Sequence, residues 1–201
     1  MPTISLTEFV DFTIKPGSTR LTEVRRIKKA HTQGYDPAKD FYKKLRDGIV
    51  NLHREALPKS ALDPLATQIL DKNKQHTYPA LMGAYKKFLG RKTCVWFDPA
   101  SAEWSSGDLR VRANPELGLA INGVNYLIKL YFKDEPKLTK ERIASISQIM
   151  RSVLGQNDRS AHLAILDVRR SNLHLLEQQS KDLQAYLEAE ALAFCKMYDS
   201  L

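Results

Sequence analysis

The chain has 201 residues, 43% hydrophobic and 27% charged, enough to fill one core or two small ones, which excludes disorder as its main character. Two cysteines, Cys94 and Cys195, supply neither a disulfide framework nor metal-ligand spacing, and both read as reduced core thiols. No stretch approaches the ~18 apolar residues of a membrane span, and the opening MPTISLTEFVDF lacks the basic start and apolar run of a signal peptide. A cytoplasmic protein with no membrane embedding is therefore expected. The formal net charge of +8 is unevenly placed: residues 1–92 carry 18 Lys and Arg against 9 Asp and Glu, the remainder 13 against 14. A field so concentrated favours a polyanion, nucleic acid foremost, because neutralised phosphates release counterions. A solvated Lys-rich helical surface gives the same composition.

The first half reads as helices punctuated by capping chemistry. Ser5 caps a helix with Glu8 as its capping-box partner, and that helix ends before Pro16-Gly17. Ser18 or Thr19 opens a second helix that Gly34 closes, and Asp36-Pro37 starts a third that runs to about Arg54. In the third, Phe41, Leu45, Ile49 and Leu52 form one apolar stripe, leaving Lys39, Lys43, Arg46 and Arg54 off it. A fourth helix is expected near Ala61–Leu70 and a fifth near Tyr78–Leu89, closed by Gly90.

From Lys92 the period changes to alternation: TCVWF reads as a strand, 101–108 as a Ser/Gly/Asp-rich loop, and the apolar run that follows as a hairpin over about 117–132. Asn122-Gly123 supplies the type I′ turn, which needs positive φ at both residues. That loop pairs Ile121 with Val124, Leu119 with Tyr126 and Leu117 with Ile128 on one buried face. On the other face Ala120 meets Asn125, Gly118 meets Leu127 and Glu116 meets Lys129, so two small residues leave room beside a carboxylate–lysine pair, with Tyr131 and Lys133 continuing the row. A helix capped by Thr139 to about Leu154, a strand over 162–168, a short strand at 173–176 and a last helix over about Gln178–Tyr198 complete an α+β chain. Its organisation reads as a basic helical region over 1–91 followed by an α/β sheet region over 92–201, open to sharing one core.

The helix–strand–strand–strand–helix–strand order over 78–168 resembles the restriction-endonuclease-like superfold, the PD-(D/E)XK nucleases, over about half the chain. The resemblance implies an acid near the second core strand and an acid-x-lysine on the third, holding a divalent metal that activates water. Pro115-Glu116 falls near the first acid and Lys129 near the lysine, so these two are the candidate catalytic residues. The residues two before Lys129 and Lys133 are Leu127 and Tyr131, so the signature is incomplete. Glu116 is a metal ligand, for Mg or Mn, only if a second acid lies nearby, with Glu141 the nearest in sequence; otherwise no cofactor is expected, and Glu116–Lys129 is an ordinary cross-strand ion pair.

The five histidines are scattered without zinc spacing, and no phosphate loop or nucleophile elbow occurs. Candidate nucleic-acid contacts are Arg25, Arg26, Lys28, Lys29, Lys43, Lys44, Lys86 and Lys87 on the helices, and Lys133, Arg169 and Arg170 beside the sheet. The aromatic neighbours of the helical group include Tyr35, Phe41, Tyr42 and Tyr85. Arg170 and Arg169 have Asp167 beside them as an obvious ion-pair partner. The expected function is nucleic-acid binding on a degenerate nuclease-like scaffold, with a metal nuclease or a non-enzymatic subunit that pairs with itself or a protein partner through the apolar C-terminal helix as alternatives.

Overall fold

The computed structural model describes residues 1–34, 40–67, 71–155, 160–176 and 179–201. Strand β1 (Thr3–Ser5) leads directly into α1 (Leu6–Thr13), where the expected capping box is present: Glu8 N–H donates to Ser5 Oγ at 3.2 Å, and Ser5 N–H donates to Glu8 Oε2 at 2.9 Å. Helix α2 (Thr19–Thr32) follows, and Gly34 leaves it at φ +78°. Helix α3 (Lys43–Arg54), a 3-10 turn (Lys59–Leu62), the single turn α4 (Pro64–Thr67) and α5 (Lys72–Leu89) complete the helical half. Tyr35, the Asp36-Pro37 start expected for the third helix, Lys39 and the end of the fourth at 68–70 lie outside the described residues. Helix α5 begins six residues before the expected Tyr78, because Asp71 caps it by accepting from Asn73 and Lys74 N–H, and Pro79 is carried inside.

The second half contains β2 (Cys94–Phe97), β3 (Ala102–Ser106), β4 (Leu109–Ala113), β5 (Leu117–Ile121), β6 (Val124–Tyr131), α6 (Lys140–Leu154), β7 (His162–Asp167), β8 (Asn172–Leu175) and α7 (Lys181–Asp199). The class is α+β. One sheet has the order β2-β5-β6-β7-β8, antiparallel except for the parallel β6–β7 pair that α6 connects; a second has the order β1-β4-β3. The segment 101–108, expected to be a loop, is mostly strand β3. Its polar composition concealed it: Glu103 and Ser105 face solvent, and Trp104 alone is buried, paired with Val111.

The hairpin register is the expected one, Leu117–Ile128, Leu119–Tyr126 and Ile121–Val124, with Asn122 at φ +49° and Gly123 at φ +86° in the turn. Both of its faces are covered. Leu117, Leu119, Ile128 and Leu130 pack with Leu45, Ile49, Tyr78 and Tyr85 of α3 and α5. Leu127 and Tyr131 pack on the opposite side with Phe9 and Phe12 of α1, Ile149 of α6 and Phe194 of α7. Residues on either side of position 91 thus meet in both apolar clusters. Helix α7 turns Leu187, Ala191 and Phe194 inward, with the Phe194 ring edge-on to Phe12 at 5.1 Å and Tyr186 Oη donating to the Thr13 carbonyl. Among the described residues no helix is long and apolar enough to cross a membrane.

A charged group ties these layers together. Asp11 of α1, itself buried, accepts from Arg142 of α6 at 2.6 Å and from Lys133, just past β6, at 2.5 Å. Arg142 is only 1% exposed, and its Nη2 has no partner among the described residues, so the carboxylate is what makes its burial tolerable. Asp11→Ala should therefore cost about 3–5 kcal/mol in urea unfolding, and an Asp11→Leu/Arg142→Met pair should recover most of it, since both buried charges are gone and the partly exposed Lys133 can turn to solvent.

Candidate nucleic-acid interface

Glu116 precedes β5 at the point where β6 runs on beyond its partner strand. There the Leu130 N–H has no β5 carbonyl to meet and donates to Glu116 Oε2 at 2.8 Å, while Lys129 Nζ pairs with Oε1 at 2.5 Å and donates to the Asn114 carbonyl at 3.1 Å. The expected Glu116–Lys129 pair thus exists, and each carboxylate oxygen has a donor. The room expected beside it does not. A Cβ at Gly118 would lie 2.3 Å from the Phe97 carbonyl oxygen and 2.8 Å from two Phe97 ring carbons, so β2 fills the space that the small residues leave.

The open space near Glu116 lies instead toward α3, in a groove of about 460 Å³ lined by Arg46, Asp47, Val50, Asn51, Arg54 and Glu116. Arg46 pairs with Asp40 at 2.7 Å, and although burial opposes its charge, the carboxylates of Asp40, Glu116 and Asp47 hold its guanidinium above its usual range. Asp47 is neutralised by Lys43. Arg54 has no carboxylate partner among the described residues; its guanidinium lies 5.4 Å over the Trp96 ring of β2. Arg46, Val50 and Arg54 recur every four residues on the helix face turned away from Leu45, Ile49 and Leu52. That spacing was readable, but the ring under Arg54, Trp96, sits far off in sequence and was not.

The other candidate cations fall into two groups. Arg25 and Lys29 stand one turn apart on the outer face of α2, and Lys44 and Lys87 lie on the outer faces of α3 and α5; all four are exposed. The rest are committed locally. Arg26 pairs with Glu23, Lys43 with Asp47, Lys86 with Asp63 and Lys133 with Asp11. Lys28 donates to the Tyr198 carbonyl at 2.8 Å, and Arg169 to the Phe132 carbonyl at 2.9 Å. Arg170 pairs with Asp167 at 3.0 Å and lies 3.7 Å from Asp134. Lys129, Lys133, Arg169 and Arg170 therefore serve the sheet's end rather than standing clear as a row of free cations.

Glu141 is exposed on the first turn of α6, and no hydrogen bond or ion pair ties it to Glu116. Among the described residues no group of three or more His, Cys, Asp and Glu is placed to hold a metal ion. The donor set around Glu116, one carboxylate with Lys129 on it and Arg46 near it, suits an anion better than a divalent cation. Comparison with protein-family models, curated proteins and solved structures finds no match to this chain.

One titratable pair lies under the groove. His53 of α3 and Tyr85 of α5, both buried, share a hydrogen bond of 2.6 Å, and burial pushes the imidazole down to about 4 and the phenol well above its usual value. The unfolded chain then takes up this proton near pH 6.5 and the folded protein does not. Stability from this site is complete above pH 6.5 and falls between pH 6.5 and about 4, by roughly 3 kcal/mol. His53→Gln, which keeps a hydrogen-bonding group for Tyr85, should flatten that part of the unfolding free energy measured against pH.

Proposed function

We propose that this protein binds nucleic acid, chiefly by electrostatic attraction to phosphates, on a scaffold of restriction-endonuclease-like order in which the catalytic set is incomplete. The observation that carries the reading is the placement of the surplus charge. Arg25, Lys29, Lys44, Arg54, Lys72, Lys87 and Arg91 all stand exposed on helices or at their ends, in the half of the chain with twice as many basic as acidic residues. Long cations held in solvent can meet phosphates without first giving up a buried partner.

The scaffold reading draws on the sheet: β2, β5 and β6 run antiparallel in order, and α6 leads into β7 parallel to β6. In chain order β3 and β4, which belong to the other sheet, stand between β2 and β5, so the likeness rests on the five-stranded sheet alone. Glu116, just before β5, and Lys129, on β6, bind each other, and Glu116 also takes the Leu130 N–H, a structural use of the pair. Retained electrostatic grip with a lost metal site accounts for both features.

The test is a salt series with short duplex DNA, single-stranded DNA and RNA, run with magnesium or manganese present and followed on a denaturing gel. Binding should weaken by at least about tenfold between roughly 50 and 200 mM salt, and Arg25→Ala/Lys29→Ala should reduce the slope of log affinity against log salt by about one to two. The nucleic acid should emerge intact. Cleavage abolished by Glu116→Ala would instead establish the metal nuclease, and no binding to any of the three at low salt would remove nucleic acid as the partner.

A further inference from the structure

The groove along α3 is concave and ends at Arg54, an exposed guanidinium that has no carboxylate partner among the described residues and lies over the Trp96 ring of β2. Arg46 and Arg54 are eight residues apart on α3, about 12 Å along the helix, a length that matches three to four stacked bases at about 3.4 Å each. The acids in the groove are already answered, Asp47 by Lys43 and Glu116 by Lys129, so they do not repel an incoming phosphate with full charge. Asn51 stands between the two arginines, exposed, with side-chain donor and acceptor free to meet a base edge.

At the far end, Trp96 rests partly on the apolar cluster beneath the sheet, and its Nε1–H donates to Asp98 at 3.2 Å, which fixes the plane of the ring. An exposed guanidinium, Arg54, lies over that ring, so the face is reachable from solvent and holds a flat cationic group. A nucleobase is flat too and stacks on indole without regard to sequence, taking this face as the Arg54 guanidinium swings to the neighbouring phosphate. Further cations gather beyond the ring: Lys59 is hydrogen-bonded to the Gly90 carbonyl, which brings it beside Arg91 and Lys92 at the end of α5, and both Lys59 and Lys92 act electrostatically on Cys94, two residues before Trp96 on the same strand face.

We infer that this groove takes single-stranded nucleic acid, with one base stacked on Trp96, the neighbouring phosphates on Arg54 and Arg46, and the strand leaving toward Lys59, Lys92 and Arg91. The inference rests on the nucleic-acid-binding reading and names its ligand form and its site. A duplex, whose bases are already stacked on each other, cannot offer one to Trp96 without unpairing it.

The experiment titrates the whole protein with a short oligothymidylate and with duplex DNA of the same length, reading anisotropy of labelled DNA and tryptophan emission together. Trp104, the second tryptophan, is 4% exposed, so quenching by the oligothymidylate should come from Trp96 and persist in Trp104→Phe. Trp96→Ala should weaken single-strand binding about tenfold and leave duplex binding unchanged, whereas Trp96→Phe should keep most of the affinity by offering another ring. Arg54 is exposed, so Arg54→Ala should fold normally, and it should weaken single-strand binding several-fold with a salt slope lower by about one. Single-strand binding without tryptophan quenching in Trp104→Phe, or with wild-type affinity in both Trp96→Ala and Arg54→Ala, overturns the groove while leaving the broader reading in place. Failure of the wild type to bind any nucleic acid overturns both.

Discussion

The pairing of β5 with β6 sends alternate side chains into two different helical layers, and this two-sided burial is the constraint on which the rest depends. A slip of one residue would exchange Leu117, Leu119 and Ile128 with Gly118, Ala120 and Leu127, emptying the layer of α3 and α5 and overfilling that of α1, α6 and α7. The Asn122-Gly123 turn and the Glu116 side chain fix the register from opposite ends, the first by positive φ and the second by accepting the Leu130 N–H. Lys129, the residue most suggestive of chemistry, is drawn into that second clamp.

The same register sets where a ligand can approach. On the α1 side the hairpin is sealed by Phe97 over Gly118 and by the Asp11–Arg142–Lys133 group. On the α3 side, the groove lies at the Glu116 end of the hairpin, along the helix from Arg46 to Arg54. The positive charge of the first half therefore meets the sheet there through side chains of α3, while the α2 cations face outward elsewhere. An electrostatic reading and a local binding site are compatible, because the diffuse charge draws a polyanion in and the groove holds one part of it.

Much of this was legible because it is local. The Ser5–Glu8 box, the Gly90 stop and the hairpin register each follow from a handful of neighbouring residues, and the structure places them as expected. What escaped depended on distant partners. Strand β3 carries one buried residue, Trp104, and pairs with β4, whose other edge is held by β1, about a hundred residues earlier. The space beside Gly118 looked open because Phe97 belongs to another strand, and the groove needed Arg54 and Trp96, which meet only once α3 is laid on β2. Exposed lysines were easy to name, but no local pattern distinguishes Lys29, which is exposed with no carboxylate partner among the described residues, from Lys133, which is held by a carboxylate from α1.

The central claim is that a nucleic-acid strand is held by the α3–β2 side of the molecule. Amide hydrogen exchange of the whole protein, with and without saturating single-stranded DNA, tests it most directly, since slowed exchange marks the backbone that a ligand steadies. The account predicts added protection concentrated in residues 43–57 and 91–97, with α7 unchanged. Protection confined to α7, or an exchange pattern identical in the two samples, would contradict it.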